Sequence, residues 1–313
     1  MALMIDPGEG QALMSLGVKM AAGDRKTLAK RQARAGVFFV LPALLYFAVW
    51  MFGPIIYGIW LGFTDTSFLG SSKFTGLDNY RTLFSDPSFI HSAVVTAEYL
   101  VYTTVPVMLV AFISAYALHH ARGRISHALY LTVIFLPFVL PSVAAAIIFE
   151  LILQPGGLFN DVTRTTVAWL TDPSTAVISL SIATAWGLVG YYVVIFLAGF
   201  QSVPKQLIEA ASIDGSSKLS TLFRIELPLL RPVILFSTVT VVATVLTNFA
   251  TPFVMTNGGP GDATTVLPLL IYKTAFQYSN PGYASAMAVV LFIVSVVLTV
   301  IQFALIRTRG EKS

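Results

Sequence analysis

Long apolar runs without charge alternate along this chain with short polar segments. About 20 apolar residues cross the hydrocarbon core of a bilayer. Gly36 to Phe63 holds no charge and is long enough. Pro42 and Gly53-Pro54 inside it imply kinks, which neighbouring helices can accommodate. Five further runs cover about 93–118, 128–153, 175–200, 232–254 and 284–306. The pattern predicts an all-α integral membrane protein with six transmembrane helices. Segments 1–34 and 307–313 are polar tails, and the first apolar run starts too late and is too long for a cleaved signal peptide.

One polar segment has its own helical pattern. Ser202-Val203-Pro204 reads as a helix start, with Ser202 as a possible cap and proline where a missing N–H costs little. Lys205 to Ile213 can form about two and a half turns. Leu207, Ala210 and Ala211 fall on one face, with Glu209 beside them. Asp214 and Gly215 follow, and Gly215 sits where a helix end calls for positive φ. Ser217 can cap a second helix through about Glu226, which Leu227-Pro228 would end. Residues 202–231 are thus expected as a polar helical hairpin. Spacing alone leaves an ordinary surface hairpin and a docking element equally open.

Composition agrees with the pattern. Apolar residues are 56% of the 313 and charged residues 11%, against about 25% charged in a soluble domain. There is no cysteine, so disulfides and thiolate metal sites are excluded. The net charge of +4 is expected from loop charge and not from nucleic-acid binding. Fifteen of the 19 Lys and Arg fall in the two tails and in the loops after the second and fourth spans. Positive loops favour the cytoplasm, so both termini and the 202–231 hairpin are expected there.

Polar and aromatic side chains at mid-membrane depth are candidates for a solute path. Phe138 and Ser142 are four apart on one face; Thr184 and Tyr191 are seven apart, with Trp186 nearby. Asn248 is a lone amide in the fifth run. Amides, hydroxyls and aromatic faces suit a sugar, although Ser142 and Thr184 read equally well as helix–helix contacts. Glu98 and Glu150 are expected near the outer ends of their spans, solvated or paired with an outer-loop base, with a role in binding-protein contact or proton relay as the sharper reading. Such a relay would favour an ion-coupled secondary transporter, but no internal repeat or buried charge pair is evident. A membrane enzyme is disfavoured because no metal-ligand cluster or nucleophile motif lies on the spans; His119 and His120 sit in a basic loop.

The run Glu209-Ala210-Ala211, three residues, Gly215, nine residues, Ile225, one residue, Leu227-Pro228 resembles the signature of permease subunits of binding-protein-dependent type I ABC importers. Phe74-x-Gly76-Leu77-x-Asn79-Tyr80, Leu136-Pro137, Gly157 with Asn160, Trp186 and Thr256-Asn257-Gly258-Gly259-Pro260 are similar to the carbohydrate-uptake branch, of the maltose and glycerol-3-phosphate type. The resemblance covers about 36–306. It implies the type I (MetI-like) permease fold, with a first helix and outer loop over 35–91 and a five-helix core over 92–306. It implies import of a sugar or sugar-like solute through the cytoplasmic membrane of a bacterium or archaeon. The implied partners are a second homologous permease, two ATPase subunits and an extracytoplasmic binding protein. Glu209, Ala210, Ala211, Asp214 and Gly215 would form the ATPase-coupling element. The family's sugar site maps onto Phe138, Ser142, Thr184, Trp186, Tyr191 and Asn248; its tyrosine reads Phe138 here and its leucine-glycine reads Gly187-Leu188. The chain has no phosphate-binding G-x-x-x-x-G-K-[ST] loop. ATP and magnesium would therefore sit on the ATPase partners, with no cofactor or metal in this chain.

Overall fold

The computed structural model describes residues 36–67, 70, 72–120 and 124–310, with backbone only for 124–127 and 305–310. The expected tail over 1–34 and most of 307–313 as a tail lie outside what is described with side chains. The chain clusters into two units, divided between Trp60 and Leu61. The first holds all but the last residue of helix α1, Gly36–Leu61, an apolar span of mean hydropathy 2.0. Its backbone widens into a π turn at Ala48–Phe52, next to Gly53-Pro54. Pro54 has no N–H to donate, and a local widening absorbs the missing bond.

The second unit begins with a small antiparallel pair, β1 (Thr64–Asp65) and β2 (Lys73–Phe74), in the register Thr64↔Phe74. Helices α2 (Asp78–Leu83) and α3 (Pro87–His120) follow. Next come α4 (Arg124–Val139), α5 (Ser142–Leu153) and the short α6 (Leu158–Thr163). Helix α7 is Pro173–Ser202, and α8 (Lys205–Ile213) and α9 (Lys218–Leu229) form the hairpin. Helices α10 (Arg231–Leu246), α11 (Ala250–Thr256) and α12 (Leu267–Tyr272) lead to α13 (Pro281–Gly310). Three expected spans, at α3, α7 and α13, are single long helices.

Two expected spans are not continuous. The span over 128–153 is α4 and α5, which meet at 97°. Pro141 would have donated to the Pro137 carbonyl had it carried an N–H; the Leu140 N–H takes that carbonyl instead, at 3.2 Å, and the helix cannot continue. The span over 232–254 is α10 and α11, separated by Thr247, Asn248 and Phe249. The hairpin also differs in detail. Helix α9 runs to Leu229 rather than ending at Leu227-Pro228: a π turn over Leu222–Glu226 lets the Leu227 N–H reach the Leu222 carbonyl and carries Pro228 within the helix. Ser202 is not the cap of α8 but the last residue of α7, where its hydroxyl donates to the Gly199 carbonyl at 2.7 Å.

The core is built around α7. More than half of its apolar window is buried, against 28% in α3 and 22% in α13. Buried Tyr99, Thr103, Val107, Ala111 and Ala115 recur every fourth residue on α3 and pack toward it. The small residues let the two helices approach closely. The α4–α7 contact is closer still. A Cβ on Gly190 would overlap the Ile134 carbonyl oxygen and lie 2.7 Å from the Phe135 Cα. We therefore expect Gly190→Ala to lower thermal stability by about 1–3 kcal/mol. Gly187→Ala, on the same helix with no atom within 4 Å of its Cβ, should be close to neutral. Unfolding midpoints of the two purified variants in detergent check this.

Candidate functional site

Four of the six expected path residues converge. Phe138 and Ser142 flank the α4–α5 break, Thr184 lies midway along α7, and Asn248 lies in the α10–α11 gap. Together with Gly187, Thr244, Thr247 and Thr251 they line one cavity of about 530 Å³. The two helix breaks lie on its walls, so it forms where regular helix packing is interrupted. Its volume falls within the range of small-molecule sites. Aliphatic and aromatic groups dominate its lining, with a few hydroxyls and one amide.

The polar groups form a defined network. Tyr99 Oη and Thr184 Oγ1 are 2.6 Å apart. Asn248 Nδ2 donates to Tyr99 Oη at 3.0 Å and contacts Thr184 Oγ1 and Thr251 Oγ1 at 3.4 Å. Asn248 Oδ1 accepts the backbone N–H of Thr251 at 3.3 Å. That last bond matters locally, because Thr251 lies in the first turn of α11, where N–H groups lack helical acceptors. The asparagine side chain thus caps the restarted helix while its amide nitrogen reaches α3 and α7.

Two expected path residues lie elsewhere. Trp186 faces away from this cavity: it stands against Phe149 at 5.3 Å and lines a separate one with Val110, Tyr130 and Ile134. It is two residues, or about 200°, from Thr184 on a helix, so nearness in sequence places it on a different face. Tyr191 stacks on Phe138 at 4.8 Å, behind the cavity lining. Tyr99, Thr244, Thr247 and Thr251 were missed. An aromatic four residues before Thr103 on an apolar helix gives no sequence signal of its polar contacts. Three threonines in the row 244–251 did carry a period-sensitive signal. Glu98 is exposed and Glu150 half-buried, and neither takes part in the two ion pairs found among the described residues.

The hairpin forms a second candidate surface. Gly215 has φ +77°, Ser216 N–H bonds the Ala211 carbonyl at 2.9 Å, and Gly215 N–H bonds the Ser212 carbonyl at 3.1 Å. This is a Schellman ending, which closes α8 at Asp214. Ser217 Oγ accepts the Ser220 N–H and starts α9. Glu209 and Ala210 are exposed on α8, whereas Ala211 is buried. The face expected from Leu207, Ala210 and Ala211 is therefore split: Ala211 packs inward, and Leu207 and Ala210 face out. Ile213 (87% exposed), Leu219 and Phe223 are further exposed apolar residues of the hairpin. Only Val203 and Pro204 separate this hairpin from α7.

The outer motif residues serve the backbone. Asn79 Nδ2 donates to the Gly62 and Thr64 carbonyls at 3.0 and 2.9 Å. Asn160 Oδ1 accepts Trp169 Nε1 at 2.8 Å, and its amide nitrogen donates to the Val167 carbonyl. A Cβ on Gly157 would stand 2.6 Å from the Ile152 carbonyl. These positions fix loops. No group of three or more metal-ligating side chains occurs among the described residues.

Comparison with known proteins agrees with this architecture. Residues 107–310 match the family described as "binding-protein-dependent transport system inner membrane component". The chain is 33% identical to the probable ABC transporter permease protein YurN of Bacillus subtilis, over 88% of this chain and 96% of that one. It is 32% identical to the lactose transport system permease protein LacF of Rhizobium radiobacter, over 93% and 100%. Among solved structures, a bacterial ABC transporter involved in the import of alginate has a chain of the same fold, with TM-score 0.79 at 21% identity, covering 90% of this chain and 98% of that chain.

The natural absence of cysteine makes the cavity directly testable. A single Ser142→Cys or Thr247→Cys should react with a water-soluble methanethiosulfonate reagent at least about tenfold faster than Val193→Cys, which is fully buried in the core. Equal rates would show that the cavity is not open to water.

Proposed function

The chain belongs to the family of binding-protein-dependent transport system inner membrane components, and from that premise we propose that the solute it passes is a sugar or sugar-like molecule. It is a permease subunit of an ABC importer and not itself an enzyme. The observation that carries the solute class is the cavity at the two helix breaks. It offers Ser142, Thr184, Thr247 and the Asn248 amide among apolar walls and the Phe138 ring. Hydroxyls and an amide match sugar hydroxyls, and an aromatic face matches the C–H face of a sugar ring. Relatives named for lactose and alginate import support the same class.

The remaining parts of the machine follow from this reading. A binding protein outside the membrane delivers the solute, and a second, homologous permease subunit completes the path. Two ATPase subunits carry ATP and magnesium and meet the α8–α9 hairpin. Both termini and the hairpin face the cytoplasm, on the side where 15 of the 19 Lys and Arg lie. The domain boundaries that fit this role are a tail over 1–34, a first helix and outer loop over 35–91, and a core over 92–306 with its coupling hairpin at 202–231. Glu209 supplies an exposed carboxylate for a basic group of the ATPase. Leu207, Ile213, Leu219 and Phe223 supply exposed apolar area on the same hairpin. Asp214 and Gly215 form the turn that presents both helices.

Two outcomes are expected. Glu209→Lys should insert and assemble with the partner permease, yet lose ATP-driven uptake by about tenfold or more, the scale of one charge-assisted bond. Normal uptake in that variant would remove the docking role. Asn248→Ala should alter the rate or the sugar preference of uptake in the complete transporter; unchanged uptake of several sugars would remove the cavity from the path.

A further inference from the structure

We propose that Tyr99 is a positioning residue that fixes the orientation of the Asn248 amide and thereby sets which hydroxyl pattern the cavity accepts. This rests on the reading that the cavity carries solute. Tyr99 lies on α3 and is 1% exposed, with no part in the cavity lining. Its hydroxyl nevertheless touches two residues that do line it, Thr184 and Asn248.

The donors and acceptors can be assigned in order. The Thr251 backbone N–H can only donate, so the atom of Asn248 facing it is the acceptor Oδ1. The amide nitrogen then faces Tyr99 and donates to its oxygen. Tyr99 Oη is also 2.6 Å from Thr184 Oγ1, and either hydroxyl can donate in that pair. When Tyr99 donates, Thr184 keeps its own hydroxyl proton for the cavity. Asn248 Oδ1 keeps one lone pair beyond the bond from Thr251. In that arrangement the wall presents a donor at Thr184 and an acceptor at Asn248, a pair that fits one sugar hydroxyl acting both ways.

Without the Tyr99 hydroxyl this order is lost. The Asn248 amide nitrogen loses its shortest acceptor, and Thr184 regains freedom to spend its proton inside the network. The amide sits in the gap between α10 and α11, where the Thr251 backbone N–H holds its oxygen and side chains alone take its nitrogen. Tyr99 is thus the tie from a continuous helix to the point where another helix is interrupted. Burial of its ring within the hydrophobic core keeps the hydroxyl in place.

The test uses the complete transporter with its binding protein in proteoliposomes, with lactose, maltose, trehalose and sn-glycerol 3-phosphate as probes. For the probe carried fastest by the wild type, Tyr99→Phe should raise KM about fivefold to tenfold, the worth of one buried hydrogen bond, with kcat within about twofold. It should also change the ranking of the probes. Because Tyr99 acts through Asn248, the double variant Tyr99→Phe, Asn248→Ala should be no worse than Asn248→Ala alone. Unchanged KM and ranking in an assembled Tyr99→Phe transporter, or full additivity in the double variant, would overturn the proposal. If Tyr99→Phe does not assemble, Thr184→Val removes the other end of the same bond, and unchanged KM there overturns it equally. Unchanged transport in Asn248→Ala would instead defeat the cavity reading itself, so the two failures are separable.

Discussion

In hydrocarbon, every backbone N–H and C=O must find its partner within the protein. That constraint governs this chain. Helix α7 meets it through 30 residues of regular helix and becomes the buried post of the core. The two places where regularity fails, Pro137–Pro141 and 247–249, need local replacements. At the first, the Leu140 N–H tightens onto Pro137. At the second, the Asn248 side chain caps α11, and the Thr247 hydroxyl donates to the Ala243 carbonyl at 2.9 Å. Polar groups are tolerated at depth because they serve freed backbone, and the same groups then face an interior cavity.

The hairpin depends on the same post. Phe112 and Tyr116 of α3 and Phe196 and Phe200 of α7 form an aromatic cluster near the end of α7 that leads into α8. Two residues later the hairpin begins, with Ala211, Leu222 and Leu230 buried against the body. A push on α8 is therefore delivered to a rigid helix that also carries Thr184. In the proposed reading, the ATPase acts on one end of α7 and the solute is held midway along it. An effector shifts such an equilibrium only by its differential contacts with the two states, and an exposed Glu209 amid apolar residues provides a surface for them.

Several residues of the sequence motifs do not line the cavity. Asn79, Gly157 and Asn160 close loops by hydrogen bonds or close backbone approach. Gly258 has φ +88°, and a Cβ on it would press on Thr265 and lie 2.7 Å from Lys273 Nζ. Each of these positions meets a geometric demand that few other residues satisfy. Cavity residues such as Thr244 and Thr247 carry no comparable backbone demand, and the helical spacing of Thr244, Thr247 and Thr251 is the one signal the sequence offers for them. The same contrast separates Gly215, whose positive φ was legible from its place after a helix, from Ala211, whose burial was not.

The sequence by itself determined the membrane spans, the polar hairpin and its glycine turn. These follow from hydropathy and from local backbone rules, which act over a few consecutive residues. It also singled out Phe138, Ser142, Thr184 and Asn248 as polar or aromatic candidates within apolar runs. Only the tertiary structure decided that these four share a cavity, that Trp186 and Tyr191 do not line it, and that Tyr99 on α3 joins it from behind. The physical reason is angular. Helix periodicity fixes which residues of one helix share a face, but which face meets which neighbour depends on packing and on where the helices break. Asn248 shows both sides: its amide was visible as a polar residue in an apolar run, while its role as cap and link required the 247–249 gap and the Tyr99 hydroxyl from 149 residues away.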